Sequence, residues 1–223
     1  MSQKLTEGFV CSNLSDNFEG LSFKKIPISS VEENSVKVSI KAASLNFPDL
    51  LMTQGKYQNK PTLPFALGME GAGIVSEVGS QSCTFKEGDE VMFGSWGHGA
   101  IAKEIVLPES MLSQKPKSSS FEEAAAFKTV YLTAFVGLIR RGNLVEGENL
   151  LVHGATGGVG MAAVELGKLY GARVIATGTS DEKLETVKSW GADEIVNTLE
   201  DGNTSFRQEL KELTNGNGAD VIY

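Results

Sequence analysis

Four glycines within seven residues, directly after a short apolar run, constrain this chain more than any other feature. The stretch reads Asn149-Leu150-Leu151-Val152-His153-Gly154-Ala155-Thr156-Gly157-Gly158-Val159-Gly160. Leu150 to His153 has the length and character of a strand buried on both faces of a parallel sheet. The residues after the turn predict a helix with Val159, Ala163, Leu166 and Tyr170 on one face and Gly171 as a left-handed cap. A second apolar strand, Arg173 to Thr177, follows. Strand, glycine turn, helix and strand make a βαβ unit. Such a turn brings an anionic diphosphate against free backbone N–H groups at a helix N-terminus. The spacing Gly-x-x-Gly-Gly-x-Gly departs from Gly-x-Gly-x-x-Gly, so the turn alone is a weak signal; the flanking strand and helix give it the context it needs.

The rest of the composition narrows the class. A chain of 223 residues accommodates two domains. A net charge of −8 argues against nucleic acid or an anionic membrane as partner. No apolar run approaches membrane-spanning length, and Met1-Ser2-Gln3-Lys4 leads into no signal-peptide core. The two cysteines, Cys11 and Cys83, form no metal-like spacing and no disulfide framework, which points to a reduced, cytoplasmic protein.

From Gly8 to about Leu112 short strands alternate with turns: Val36–Ala42, Gly73–Gly79, the run ending Val91-Met92-Phe93, and Ala102–Pro108. Close-spaced strands of this kind predict a small twisted barrel or sandwich. Gln114 to Ser120 is a polar connector, and Ser120-Phe121-Glu122-Glu123 is a capping box that starts a helix. A further helix runs through Leu132, Phe135, Val136 and Ile139 to Gly142. Strands and helices then alternate: a helix over Asp181–Trp190, a strand at Glu194–Asn197, a helix opened by Ser205-x-x-Gln208, and a strand beginning at Ala219–Tyr223. The domain division is 1–126 and 127–223. A doubly wound dinucleotide domain has six strands. This chain supplies four, which reads as a truncated domain with its fourth strand as an open edge.

Three blocks together resemble the medium-chain dehydrogenase/reductase superfamily, in its zinc-independent quinone-oxidoreductase branch. They are Ser44-Leu45-Asn46-Phe47-Pro48-Asp49-Leu50-Leu51-Met52-Thr53-Gln54-Gly55-Lys56-Tyr57, then Pro64-Phe65-Ala66-Leu67-Gly68-Met69-Glu70-Gly71-Ala72-Gly73-Ile74-Val75, then the glycine turn. The resemblance implies an α/β chain: a GroES-like β-barrel domain followed by a Rossmann doubly wound parallel sheet of which about four strands are present. It also implies a nicotinamide in the cleft between the domains and, for the whole protein, a homodimer. The zinc-containing relatives carry cysteine where this chain has Asn46 and Gly-His-Glu where it has Gly68-Met69-Glu70. An amide and a thioether do not replace thiolate and imidazole as zinc ligands, so no metal site is expected. His98 and His153 are the only histidines.

The resemblance places Asn46 beside the nicotinamide ribose, against the alternative of a loop residue bonding its own backbone. Tyr57 falls where enoyl-thioester reductases carry a tyrosine that hydrogen-bonds the substrate carbonyl; the alternative is an aromatic packed under a turn. Asp49 reads as a structural residue. Thr133 is a packing residue or a cofactor neighbour, and Thr156, Gly157, Gly158, Val159, Gly160 and Thr177 complete the cofactor site. After the second strand the chain reads Thr177-Gly178-Thr179-Ser180, without the carboxylate that receives ribose hydroxyls in NAD enzymes. Ser180 and Lys183 match the quinone reductases' phosphate contacts, although Asp181 and Glu182 add negative charge nearby. The alternative makes Ser180 a helix N-cap and Lys183 a solvated side chain. Thr198 stands where several quinone reductases carry an aromatic or histidine. The expectation is NADPH and hydride transfer to quinones or α,β-unsaturated carbonyl compounds, with Tyr57 and Asn46 as catalytic residues. A non-catalytic NADPH-binding structural or vesicle-interaction protein on the same scaffold is the alternative.

Overall fold

Antiparallel strands dominate the first half of the computed structural model, which describes residues 4–81, 84–95, 99–199 and 205–223. The elements in order are β1 (Leu5–Cys11), β2 (Leu21–Pro27), β3 (Ser35–Ala43), α1 (Phe47–Thr53), β4 (Phe65–Ala66), β5 (Glu70–Val78), β6 (Glu90–Gly94), β7 (Glu104–Pro108), β8 (Leu112–Gln114) and α2 (Phe121–Ala125). One sheet has the order β7-β3-β5-β6-β8 and a second the order β2-β1-β4. The pairing of β3 with β5 shifts register at Lys37/Val38 and again at Ile40/Ala42. Such irregularities bend a strand and increase its twist. Backbone bonds then tie the segment that leads into β7 to the second sheet, from Phe9 N–H to the Ile101 carbonyl at 3.0 Å and from Lys103 N–H to the Glu7 carbonyl at 2.8 Å. The inward residues of the alternating strands (Val36, Val38, Val75, Val91, Phe93, Ile105, Leu107) form one core. Truncating Phe93, which has no exposed surface, to alanine would cost about 3–5 kcal/mol.

α1 starts within the first resembling block. Pro48 lies in its first turn, and the Asp49 carboxylate reaches back to the Asn46 N–H at 2.9 Å. The capping box at α2 forms as its sequence predicts: Glu123 N–H donates to Ser120 Oγ at 3.1 Å and Ser120 N–H to Glu123 Oε2 at 2.8 Å.

The chain divides into two units, Met1–Thr129 and Val130–Tyr223. α3 (Lys128–Phe135) begins in the first. The helix expected to run on to Gly142 instead widens into a π-helical turn over Val136–Arg141. Gly142 N–H closes it on the Gly137 carbonyl at 2.8 Å, five residues back, and Leu138 becomes fully buried. Then follow β9 (Asn149–Val152), α4 (Gly158–Leu169), β10 (Arg173–Gly178), α5 (Asp181–Ser189), β11 (Glu194–Asn197), α6 (Ser205–Leu213) and β12 (Val221–Ile222).

The four strands of the second unit are parallel, in the order β11-β10-β9-β12. This is the Rossmann-like sheet that the sequence predicts, with the fourth strand beside the first. Both faces are covered. Leu150, Val152, Val174 and Ala176 pack with Ala162, Ala163 and Val164 of α4, while Leu151, Ile175 and Val196 meet Phe206, Leu210 and Leu213 of α6. The face of α4 differs from the expected one. Gly160, Ala163, Val164 and Gly167 are buried, whereas Tyr170 is exposed and Val159 and Leu166 are half-buried. The reason is closeness: a β-carbon on Gly167 would lie 2.6 Å from Leu150 Cδ2 and 2.9 Å from Val174 Cγ2.

Candidate functional site

The glycine turn leaves the end of β9 with Gly154 at φ +60 and enters α4 through Gly157 at φ −91, ψ 166. Two bonds fix its shape. Ala155 N–H donates to the Thr177 carbonyl at 2.9 Å, and Gly157 N–H to the Gly154 carbonyl at 3.1 Å. The next amides, on Gly158, Val159 and Gly160, have no acceptor among the described residues, and no side chain caps the helix. They are the free donors that a helix N-terminus offers. The space beside Gly154 and Gly157 is open. A β-carbon on Gly157 would have only the Gly154 oxygen near it, at 3.6 Å, and one on Gly154 would meet nothing within 4 Å. An anionic diphosphate fits this cradle, because donors, dipole and room coincide.

Some of the other expected residues of this unit lie against the turn. Thr156 lies against the end of β10, where a β-carbon on Gly178 would meet its Cγ2 at 3.0 Å. Val130 of α3 faces Gly158, and Thr133, one turn further on, shares that side of α3 and is exposed. Thr177 is buried, and its Oγ1 lies 3.1 Å from Nδ1 of His153. Ser180 occupies the N-cap position of α5, yet its hydroxyl caps nothing, and Lys183 is exposed without an ion pair among the described residues. Asp181 is engaged by Asn197 Nδ2 at 2.7 Å. Thr198 holds the Gly178 carbonyl with both its N–H and its hydroxyl, at 2.8 and 3.1 Å.

In the first unit Asn46 stands at the N-cap of α1. Its Nδ2 donates to Ser44 Oγ and to Glu70 Oε1, each at 3.0 Å. Asp49 is buried and receives the N–H groups of Asn46 and Gly68 at 2.9 and 3.2 Å. Burial pushes its carboxyl above the usual range, those two amides pull it back, and the charge of Glu70 adds to the rise. The Tyr57 ring is half-buried against the cluster of Cys11, Met52, Phe65 and Leu67, and its hydroxyl has no hydrogen-bond partner among the described residues.

Glu70 is the residue that sequence reasoning passed over. The signal was a lone carboxylate in the small, apolar run from Gly68 to Val75. His98 and Cys83 lie outside the described residues. Among the described residues no three histidine, cysteine, aspartate or glutamate side chains gather to hold an ion. No described helix is long and apolar enough to cross a membrane.

Residues 32–117 match the family described as alcohol dehydrogenase GroES-like domain, and residues 158–223 the one described as zinc-binding dehydrogenase. The second match covers a stretch with neither cysteine nor histidine. A quinone oxidoreductase-like protein 2 homolog from Nematostella vectensis is 40% identical over 190 residues, 85% of this chain and 51% of that protein. A probable oxidoreductase from Mycobacterium abscessus superposes with a TM-score of 0.89 at 35% identity, over 98% of this chain and 69% of that one. The Escherichia coli quinone oxidoreductase, solved complexed with NADPH, gives 0.87 at 32% identity, over 97% of this chain and 65% of that one. The chain spans about half the length of the curated relatives it matches.

Proposed function

Because the chain belongs to the medium-chain dehydrogenase/reductase superfamily, in its quinone oxidoreductase-like branch, we propose that it serves NADPH-dependent, zinc-independent reduction of quinones or other α,β-unsaturated carbonyl compounds. The observation that carries this reading is the cradle at the start of α4: three unbonded amides in a row, with open space beside Gly154 and Gly157. The Escherichia coli relative solved with NADPH supports the same choice of nucleotide.

When bound, NADPH supplies the hydride. The amides of Gly158, Val159 and Gly160 hold its diphosphate, and Thr156 and Thr133 flank them. Ser180 Oγ and Lys183 Nζ receive the 2′-phosphate, since a hydroxyl and a cation favour an added dianion where a carboxylate would repel it. Thr177 acts from behind by fixing Ala155. Asn46 holds the nicotinamide ribose. The Tyr57 phenol hydrogen-bonds the acceptor's carbonyl oxygen and stabilises the negative charge that builds there. That role falls to a hydrogen bond because an amide at 46 and a thioether at 69 offer zinc no suitable ligands.

Two measurements test this: titration with NADPH and NADH, and NADPH consumption with a panel of quinones and enals. NADPH bound more tightly than NADH, with turnover on at least one conjugated acceptor, is the expected result. Tight binding with no turnover on any acceptor would favour a non-catalytic nucleotide-binding protein.

A further inference from the structure

Glu70 is 1% exposed. A carboxylate buried that far costs several kcal/mol unless its lone pairs are engaged. Here both oxygens are. Oε1 accepts from Ser44 Oγ at 2.6 Å and from Asn46 Nδ2 at 3.0 Å, and Oε2 accepts the Thr129 backbone N–H at 2.7 Å. Lys128 feels the same charge: burial lowers its pKa and Glu70 pushes it back up. The chain therefore keeps a carboxylate acceptor at the start of β5 and aims three donors at it.

The consequence falls on Asn46. A side-chain amide has a donor end and an acceptor end of nearly the same shape, so packing alone does not choose between its two orientations. An ionised carboxylate accepts only, and therefore chooses. With Nδ2 held by Glu70 and the backbone N–H held by Asp49 Oδ2, Asn46 is fixed at both nitrogens.

We propose that Glu70 is a positioning residue, whose buried carboxylate fixes the Asn46 amide so that its carbonyl oxygen is the end presented to the nucleotide. This rests on the assignment of Asn46 as a nucleotide contact. Glu70 itself touches no ligand and acts through Asn46.

Two readouts test it. In proton–nitrogen correlation spectra of the nucleotide-free chain, the Asn46 side-chain amide is assigned by its loss in Asn46→Ala. Its protons are shifted and slow to exchange in the parent and move to free-amide positions in Glu70→Gln. In NADPH titrations followed by fluorescence, Asn46→Ala and Glu70→Gln each weaken binding roughly tenfold. The double variant is no weaker than the poorer single one. An unchanged Asn46 amide signal in Glu70→Gln overturns the proposal. So do losses that multiply in the double variant, and these remove only the part played by Glu70. An Asn46→Ala chain that binds NADPH like the parent removes the assignment of Asn46 as well. If Glu70→Gln alone does not fold, the reversed pair Asn46→Asp with Glu70→Gln exchanges donor and acceptor across the same gap. It must bind NADPH more tightly than Asn46→Asp alone, and failure of that rescue overturns the proposal.

Discussion

Gly160 and Ala155 approach so closely that a β-carbon on Gly160 would stand 2.7 Å from the α-carbon of Ala155. Both partners are backbone, one in α4 and one in the turn, so neither can swing aside as a flexible side chain would. In an open helix, glycine to alanine gains up to about 1 kcal/mol. In Gly160→Ala the clash outweighs that gain. A net loss of about 1–3 kcal/mol in urea unfolding is expected, with NADPH binding lost. A Gly160→Ala chain as stable as the parent would show that the turn and helix do not pack as described.

Gly157, three residues earlier, separates stability from binding. Its φ of −91 and ψ of 166 suit alanine, and only the Gly154 oxygen, 3.6 Å from an added β-carbon, is near. Gly157→Ala should unfold within about 1 kcal/mol of the parent. Its methyl group projects into the open space before α4. NADPH affinity should fall at least roughly tenfold, as expected when a phosphate loses a charge-assisted bond. Unchanged affinity would move the diphosphate elsewhere.

If Lys183 and Ser180, whose polar ends have no partner among the described residues, receive the 2′-phosphate, they are what separates the two nucleotides. Lys183→Ala should weaken NADPH by about 1–3 kcal/mol and leave NADH nearly unchanged. Titrating both nucleotides against parent and variant decides the matter. Equal losses for both would mean that Lys183 contributes only general charge, and the 2′-phosphate would need another partner.

The sheet was readable because its signals are local. Apolar runs of strand length, a glycine turn and a capping box at Ser120 each declare themselves within a few residues. The buried face of α4 was not readable from the same logic. Apolar side chains of substantial size, Val159, Leu166 and Tyr170, looked like the inner face. The helix instead lies so close to Leu150 and Val174 that only glycine, alanine and valine fit beneath it. Size marks hydrophobicity, but close approach selects for its absence. β2 escaped notice for a simpler reason: Ser22 to Lys25 are all exposed, so there is no alternation to find. Glu70 was hidden by distance along the chain. Its partners lie 26, 24 and 59 residues away, and no local pattern connects them.

Acid should act on the second unit through Asp193. Burial raises its carboxyl, but the hydrogen bond from Lys168, the Val174 amide and the charges of Lys168 and Arg173 together hold it below the usual carboxylate value. A folded-state pKa below the unfolded one means that the unfolded chain binds the proton more readily. The stabilisation is therefore complete above the unfolded value near about 3.9 and is lost as pH falls through the lower, folded value. Both side chains are 35% exposed, so the pair is screened and worth under about 1 kcal/mol. Urea midpoints measured from pH 6 down to about 3 should fall less steeply for Lys168→Met than for the parent. Parallel curves would remove Asp193 from the acid response.

Tyr57 offers the sharpest division between packing and chemistry. Its ring belongs to the cluster of Cys11, Met52, Phe65 and Leu67, while its hydroxyl bonds to nothing among the described residues. Tyr57→Phe keeps the ring and removes only the oxygen. Stability should stay within about 0.5 kcal/mol of the parent, because no internal hydrogen bond is broken. NADPH affinity should also be unchanged. If the phenol bonds the acceptor's carbonyl oxygen, kcat should fall about a hundredfold, the loss typical of removing one donor to a developing oxyanion. Turnover equal to the parent's, with an acceptor that the parent reduces, would leave Tyr57 as a packing residue and hand charge stabilisation to solvent.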